Sequence, residues 1–195
     1  MNGAGTLRVQ RMTLWELDRD LFRFIHTAFQ GSDAWKWVII AITSMGLGQV
    51  QLVGLGLFAL KREWRNIAYM CIWAGALSGL LRLVVMKFAD RQRPSNFDFA
   101  QPLEQVFGRS SFPSGHTTTS FAIAFMLWLL LVEKNPPRWV VPTVLAWALV
   151  VSLSRIAAGM HYPLDIVGGI CMGAFGAGLS YLLAQRFGWI PRNEN

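Results

Sequence analysis

Residues 111–132 read "SFPSGHTTTSFAIAFMLWLLLV": a turn built on Pro113 and Gly115, a histidine, a run of hydroxyls, and then an unbroken apolar tract from Phe121 to Val132. Counted from His116 the tract is about 17 residues long, close to what a helix rising about 1.5 Å per residue needs to cross a hydrocarbon core of about 30 Å. A rigid, titratable cluster thus stands at the mouth of a membrane helix.

Four further stretches have comparable length and apolarity, roughly Ala34 to Leu60, Asn66 to Lys87, Trp139 to Ser154 and Tyr162 to Leu183. The first carries "TSMGLG" near its middle, so it is either one kinked span or two halves, each too short to cross alone. The expectation is an all-α, polytopic bundle of about five spans, with six as the alternative. Overall composition agrees: 53% of the 195 residues are hydrophobic and 15% charged, too apolar for an ordinary soluble domain. The net charge of +7 comes from Lys and Arg scattered through short connections, not from a basic stripe, which argues against nucleic acid as a partner. Cys71 and Cys171 fall inside apolar runs and read as small buried side chains.

Residues 13–30, "TLWELDRDLFRFIHTAFQ", interleave Leu14, Leu17, Leu21, Phe22, Phe24 and Ile25 with charges, the pattern of a helix lying in the membrane interface. His26 reads as a structural residue without partners there. The opening segment has no continuous apolar core followed by small residues, so the spans themselves are expected to direct insertion. The domain reading is an N-terminal segment over 1–33, a membrane-embedded unit over 34–187 and a tail over 188–195. Gly169, Gly173, Ala174 and Gly178 in the last span predict close helix contact. Basic residues in "KREWR" (61–65), "EKNPPR" (133–138) and "RFGWIPR" (186–192) place those connections in the cytoplasm, with 88–115 and 155–161 outside. Arg91, Arg93, Arg109 and Arg155 then lie on the side that usually lacks basic residues, as do Arg8, Arg11, Arg19 and Arg23 of the N-terminal segment. Arginines on that side ask for a ligand.

Three polar clusters fall at one membrane face: "KFADRQRP" (87–94), "SFPSGH" (111–116) and "SRIAAGMHYPLD" (154–165). A helix descending from His116, a turn at "EKNPPR" and a helix climbing to Ser154 return both histidines to the same side. Lys87, Arg93 and Arg155 offer positive charge suited to a tetrahedral oxyanion. Ser114 and the amide of Gly115 open a helix, where free N–H groups favour an anion, and Gly115 has no side chain to hold a phosphate off. Two histidines add chemistry: one attacks phosphorus and the other protonates the leaving oxygen. Asp165, four residues after His161, can reach back to one imidazole nitrogen and free the other. His161 is therefore the expected nucleophile and His116 the expected general acid and base. No paired carboxylates or Cys/His cluster suggests a metal, and Asp90 and Asp98 read as solvated loop acids.

These residues resemble the type 2 phosphatidic acid phosphatase superfamily, whose motifs are Lys, six residues, Arg-Pro; Pro-Ser-Gly-His; and Ser-Arg, five residues, His, three residues, Asp. Pro113 to His116 match the second, and Ser154, Arg155, His161 and Asp165 the third, within a resemblance covering about residues 66–183. The first departs, since five residues separate Lys87 from Arg93, a shift the flexible lysine stem can absorb or Arg91 can replace. The resemblance implies a cofactor-free, metal-independent lipid phosphatase working through a phosphohistidine on His161. The implied substrate is undecaprenyl diphosphate, with phosphatidylglycerophosphate, phosphatidic acid and diacylglycerol diphosphate as alternatives. With the basic connections inside, a multi-pass cell-membrane location is expected with the site facing the extracytoplasmic side, where Phe97, Phe99 and Phe107 can dip into the interface or cover the entrance. A lipid phosphotransferase, a vanadium haloperoxidase and a non-catalytic lipid-binding protein are the rival readings.

Overall fold

The computed structural model describes residues 12–104, 110–132 and 137–190. Arg8, Arg11, Phe107, Arg109 and most of the "EKNPPR" turn lie outside the described residues, as does the end of the tail. Among the described residues every regular element is helical apart from a single bridge between Gln92 and Ser110.

Helix α1 runs over Leu14–Ala28. It starts where Thr13 accepts the Glu16 amide at 3.3 Å while the Glu16 carboxylate accepts the Thr13 amide at 2.7 Å, a reciprocal cap that satisfies two otherwise orphan donors. Leu14, Leu17, Leu21 and Phe24 point outward, as an interfacial helix requires. The opposite stripe, Asp18, Phe22 and His26, is buried against the protein. The expectation of an unpartnered His26 is thereby corrected: its Nδ1 bonds the Ala157 carbonyl at 2.9 Å and its Nε2 accepts the Gln101 amide at 3.0 Å. These two partners are backbone atoms more than 70 residues away, which the sequence pattern conceals; the Gln30 side-chain nitrogen, four residues on, also lies 3.2 Å from Nε2.

The first predicted span breaks at its glycines into α2 (Asp33–Met45) and α3 (Gly48–Phe58), bent by 58°. The Gln51 side chain covers the break, donating to the Gly46 carbonyl and to Ser120 Oγ, each at 2.7 Å. Among the described residues three helices are long and apolar enough to cross a membrane: α4 (Arg65–Phe88), α6 (Val140–Ala157) and α7 (Pro163–Arg186). The α2–α3 pair raises that number to four if it forms one span. Helix α5 (Gly115–Leu131) is apolar and 17 residues long, at the short end of the length that crosses a hydrocarbon core. Its first turns, Thr117 to Ser120, are buried in a polar layer and not in an apolar one.

Helix α5 is central, packed between α4, α6 and α7. At Gly173 the α5 and α7 backbones come so close that a Cβ would stand 2.7 Å from the Thr118 carbonyl oxygen and 2.9 Å from the Ala122 nitrogen. Gly178, expected to pack in the same way, has open space around it.

Candidate active site

Helix α6 ends in a left-handed turn that aims the third motif. Gly159 has φ of 76°, which side-chain-bearing residues rarely adopt. The Gly159 amide bonds the Ile156 carbonyl and the Met160 amide the Arg155 carbonyl, each at 3.0 Å. This is the Schellman closure, and it reverses the chain so that His161 faces Arg93 while Pro163 opens α7. The second motif reaches the same place through the Ser114 amide, which donates to the Asp165 carbonyl at 3.0 Å. Segment 110–113 closes the third side: Ser111 N–H donates to the Arg91 carbonyl at 2.7 Å and Ser110 Oγ to the Ala89 carbonyl.

A cavity of about 590 Å³ opens among these elements, lined at its polar end by Arg82, Arg93, Glu104, Gly115, His116, Arg155 and His161. Its other walls are Leu47, Gly48 and Leu52 of the α2–α3 region with Gly75, Ala76 and Gly79 of α4. His161 is 2% exposed; its Nε2 lies 3.3 Å from an Arg93 guanidinium nitrogen and its Nδ1 3.4 Å from Asp165 Oδ2. Guanidinium can only donate, so Nε2 is the acceptor and Nδ1 carries the proton facing Asp165. That N···O distance exceeds hydrogen-bond length by a few tenths of an ångström, and Nδ1 makes no hydrogen bond among the described residues. Burial pushes His161 down to about 4 from an ordinary 6.5, with Asp165 pulling upward and Arg93 and Arg155 pressing downward. Its imidazole is therefore neutral at physiological pH. Burial and the neighbouring Arg82 and Arg155 also lower Arg93.

Three further buried nitrogens converge here without partners among the described residues: His116 Nε2, Arg93 Nε and Arg155 Nε. Orphan polar groups in a buried setting are costly, and a concentration of them marks a place built for something else to bind. The charge around the cavity names its sign: three arginines face one carboxylate, Glu104, which grips Arg155 through both oxygens at 2.9 and 3.1 Å. The fit is to an anion with several acceptor oxygens. Among the described residues no three of His, Cys, Asp and Glu stand together as metal ligands.

Residues 64–189 match the PAP2 superfamily. The chain belongs to it. Among its relatives, the lipid A 4'-phosphatase of Bacteroides thetaiotaomicron is 29% identical over 187 residues, 89% of this chain and 79% of that protein. The lipid A 1-phosphatase of Rhizobium johnstonii is 30% identical, covering 81% of this chain and 65% of its own length. The crystal structure of Aquifex aeolicus LpxE shares the fold, with a TM-score of 0.72 at 23% identity over 89% of this chain and 98% of that one. The protein is an all-helical membrane phosphatase of the PAP2 superfamily.

Within this PAP2 site the structure separates the sequence-predicted residues. Arg93, Gly115, His116, Arg155 and His161 line the cavity, and Asp165 stands directly behind His161. Lys87 is exposed and lines no part of it. Arg82 stands in the cavity instead, its Nε donating to the Pro113 carbonyl at 2.8 Å and its guanidinium packed where a Gly115 Cβ would be. Gly115 thus makes room for an arginine as well as for a ligand. Ser114 is fully buried and does not line the cavity: its hydroxyl accepts from Thr117 at 3.1 Å within the first turn of α5, and its amide joins the heads of α5 and α7. Arg91 does not substitute for Lys87: it lies on the far side of Asp165, bonded to Asp165 Oδ1 at 2.5 Å. Asp90 and Asp98 are exposed, as expected, but Glu104 is a nearby loop acid the sequence reading passed over. The signal for Arg82 was present, since a charge inside an otherwise apolar span is functional by default. Nothing in the local pattern distinguished Glu104.

Proposed function

We propose that this protein hydrolyses the phosphate of a membrane lipid through a phosphohistidine on His161. The observation that carries the reading is the convergence of a neutral, buried histidine, a second histidine and three arginines on one cavity whose innermost nitrogens lack partners. His161 Nε2 attacks phosphorus, forming an N–P bond as the P–O bond to the lipid breaks. Asp165 offsets the charge that develops on the imidazole. Arg82, Arg93 and Arg155 hold the three spectator oxygens, where charge is greatest in the transition state. His116 gives its proton to the departing lipid oxygen, then takes one from the water that cleaves the N–P bond, which releases inorganic phosphate and restores both histidines. Glu104 must yield Arg155 as the phosphate arrives.

The substrate is a lipid bearing a terminal phosphate at headgroup level, entering from the extracytoplasmic face. Undecaprenyl diphosphate is one candidate, from the surface helix followed by a short bundle. Lipid A is the second and is supported by the two named relatives, a lipid A 4'-phosphatase and a lipid A 1-phosphatase. The test is phosphate release by detergent-purified protein in EDTA. The panel holds undecaprenyl diphosphate, lipid A, phosphatidylglycerophosphate, phosphatidic acid and diacylglycerol diphosphate, with His161→Ala as control and lipid products identified by mass. Release that persists in EDTA and vanishes in His161→Ala supports the mechanism, and the rank order names the lipid. Transfer of phosphate to another lipid would make the enzyme a phosphotransferase. Activity in His161→Ala sinks the reading.

A further inference from the structure

The residues that orient His161 are themselves held from outside the region matching the family. Behind His161, Asp165 is fully buried and uses both oxygens: Oδ2 accepts the Tyr162 amide at 2.9 Å and Oδ1 accepts Arg91 at 2.5 Å. Arg91 also pairs with Asp18 Oδ2, so one guanidinium bridges two buried carboxylates. The other oxygen of Asp18 accepts the Leu164 amide at 2.8 Å, one of the donors that the start of α7 leaves unsatisfied. Two rings flank the guanidinium, Tyr162 at 4.4 Å and Trp15 at 5.1 Å. Asp18 and Trp15 belong to α1, whereas the family match begins at residue 64.

We propose that Asp18 is a positioning residue for catalysis: α1 inserts a carboxylate that fixes Arg91, Arg91 fixes Asp165, and Asp165 sets the tautomer and direction of His161. The inference rests on the phosphohistidine reading above. Its physical basis is that a carboxylate in a dry site keeps a defined orientation only when all its acceptors are engaged. Without Asp18 the guanidinium has one anionic partner in place of two, and the Leu164 amide at the head of α7 loses its acceptor. Docking of α1 through Phe22 and the His26 bonds then serves the active site, beyond holding the chain at the membrane surface.

The experiment compares wild type, Asp18→Asn, Asp18→Glu, Arg91→Lys, the double variant and His161→Ala in full-length, detergent-purified protein, on whichever lipid of the panel wild type hydrolyses. Asp18→Asn is expected to lower kcat by about 10- to 100-fold, with KM and inhibition by inorganic phosphate within about threefold because the cavity is untouched. Asp18→Glu should recover part of the loss, and the double variant should be no slower than the worse single one, since both residues act along one chain of contacts. A purely structural helix would lower the melting temperature and leave kcat of the folded protein unchanged, and that result overturns the proposal. Where Asp18→Asn does not fold, Arg91→Lys keeps the charge and removes the fork; wild-type kcat in that variant is equally fatal. If His161→Ala is inactive while Asp18→Asn is at wild-type rate, this inference alone falls. If His161→Ala is active, the phosphohistidine reading and this inference fall together.

Discussion

The two sides of Asp165 are built to opposite rules. On the cavity side, His116, Arg93 and Arg155 each carry a buried nitrogen with no partner among the described residues. On the far side, Arg91, Asp18 and the Tyr162 and Leu164 amides are joined into one set of bonds. The contrast separates ligand surface from support, since polar groups left open in a dry place await a ligand, while those already satisfied hold geometry.

The sharpest break of that contrast is His161→Ala, expected to lower phosphate release by at least about a thousandfold, read as released phosphate at saturating lipid. Next comes Arg82→Ala, which removes a charge from the open side. A loss of about 100-fold in kcat/KM is expected, whereas Lys87→Ala, on the exposed flank, should stay within about twofold. Equal losses would return Lys87 to the site. Among the described residues Glu104 is the one carboxylate that lines the open side, and both its oxygens are bonded to Arg155. Glu104→Gln should tighten inhibition by inorganic phosphate several-fold, about 1 kcal/mol of relieved competition, measured as the inhibition constant. Unchanged inhibition would mean that Arg155 never releases Glu104.

The smallest effect concerns stability. His161 is lowered to about 4 and His26 is also lowered, in both cases first by burial. The unfolded chain therefore binds more protons than the folded one below an ordinary histidine value near 6.5. Stability from the two neutral rings is complete above about pH 6.5 and declines as pH falls toward 4. The melting temperature in detergent should drop by a few degrees over that interval and be flat from pH 7 to 8. His161→Ala and His26→Ala should each flatten the acid side in part.

Legibility followed the range of the physics. The third motif could be read because its parts act within one turn: Ser154 and Arg155 close α6, Gly159 reverses the chain, and His161 and Asp165 stand four residues apart at the head of α7. The second motif could be read as a site but not in detail, because Ser114 has two possible uses at a helix start, and in the fold its hydroxyl accepts from Thr117 while its amide joins Asp165. Lys87 and Arg82 show the limit most plainly. They lie five residues apart on one helix, and sequence spacing favours the one nearer the loop. A helix turns by about 100° per residue, so which of the two faces the cavity depends on how α4 is rotated against α5. That rotation is set by contacts such as Arg82 with Pro113 and Gly115.

The sequence by itself determined an apolar, helical, membrane-embedded chain, two of three polar motifs with their histidines, and an amphipathic helix before the first span. Periodicity, hydropathy and short spacings express these within a single helix or turn. Tertiary structure decided that Arg82 faces the cavity, that Glu104 holds Arg155, that the first span bends at Gly46, and that α1 places Asp18 behind Asp165. Each of these depends on which faces of distant helices meet, and a buried charge finds its partner across the bundle, where no local pattern records it.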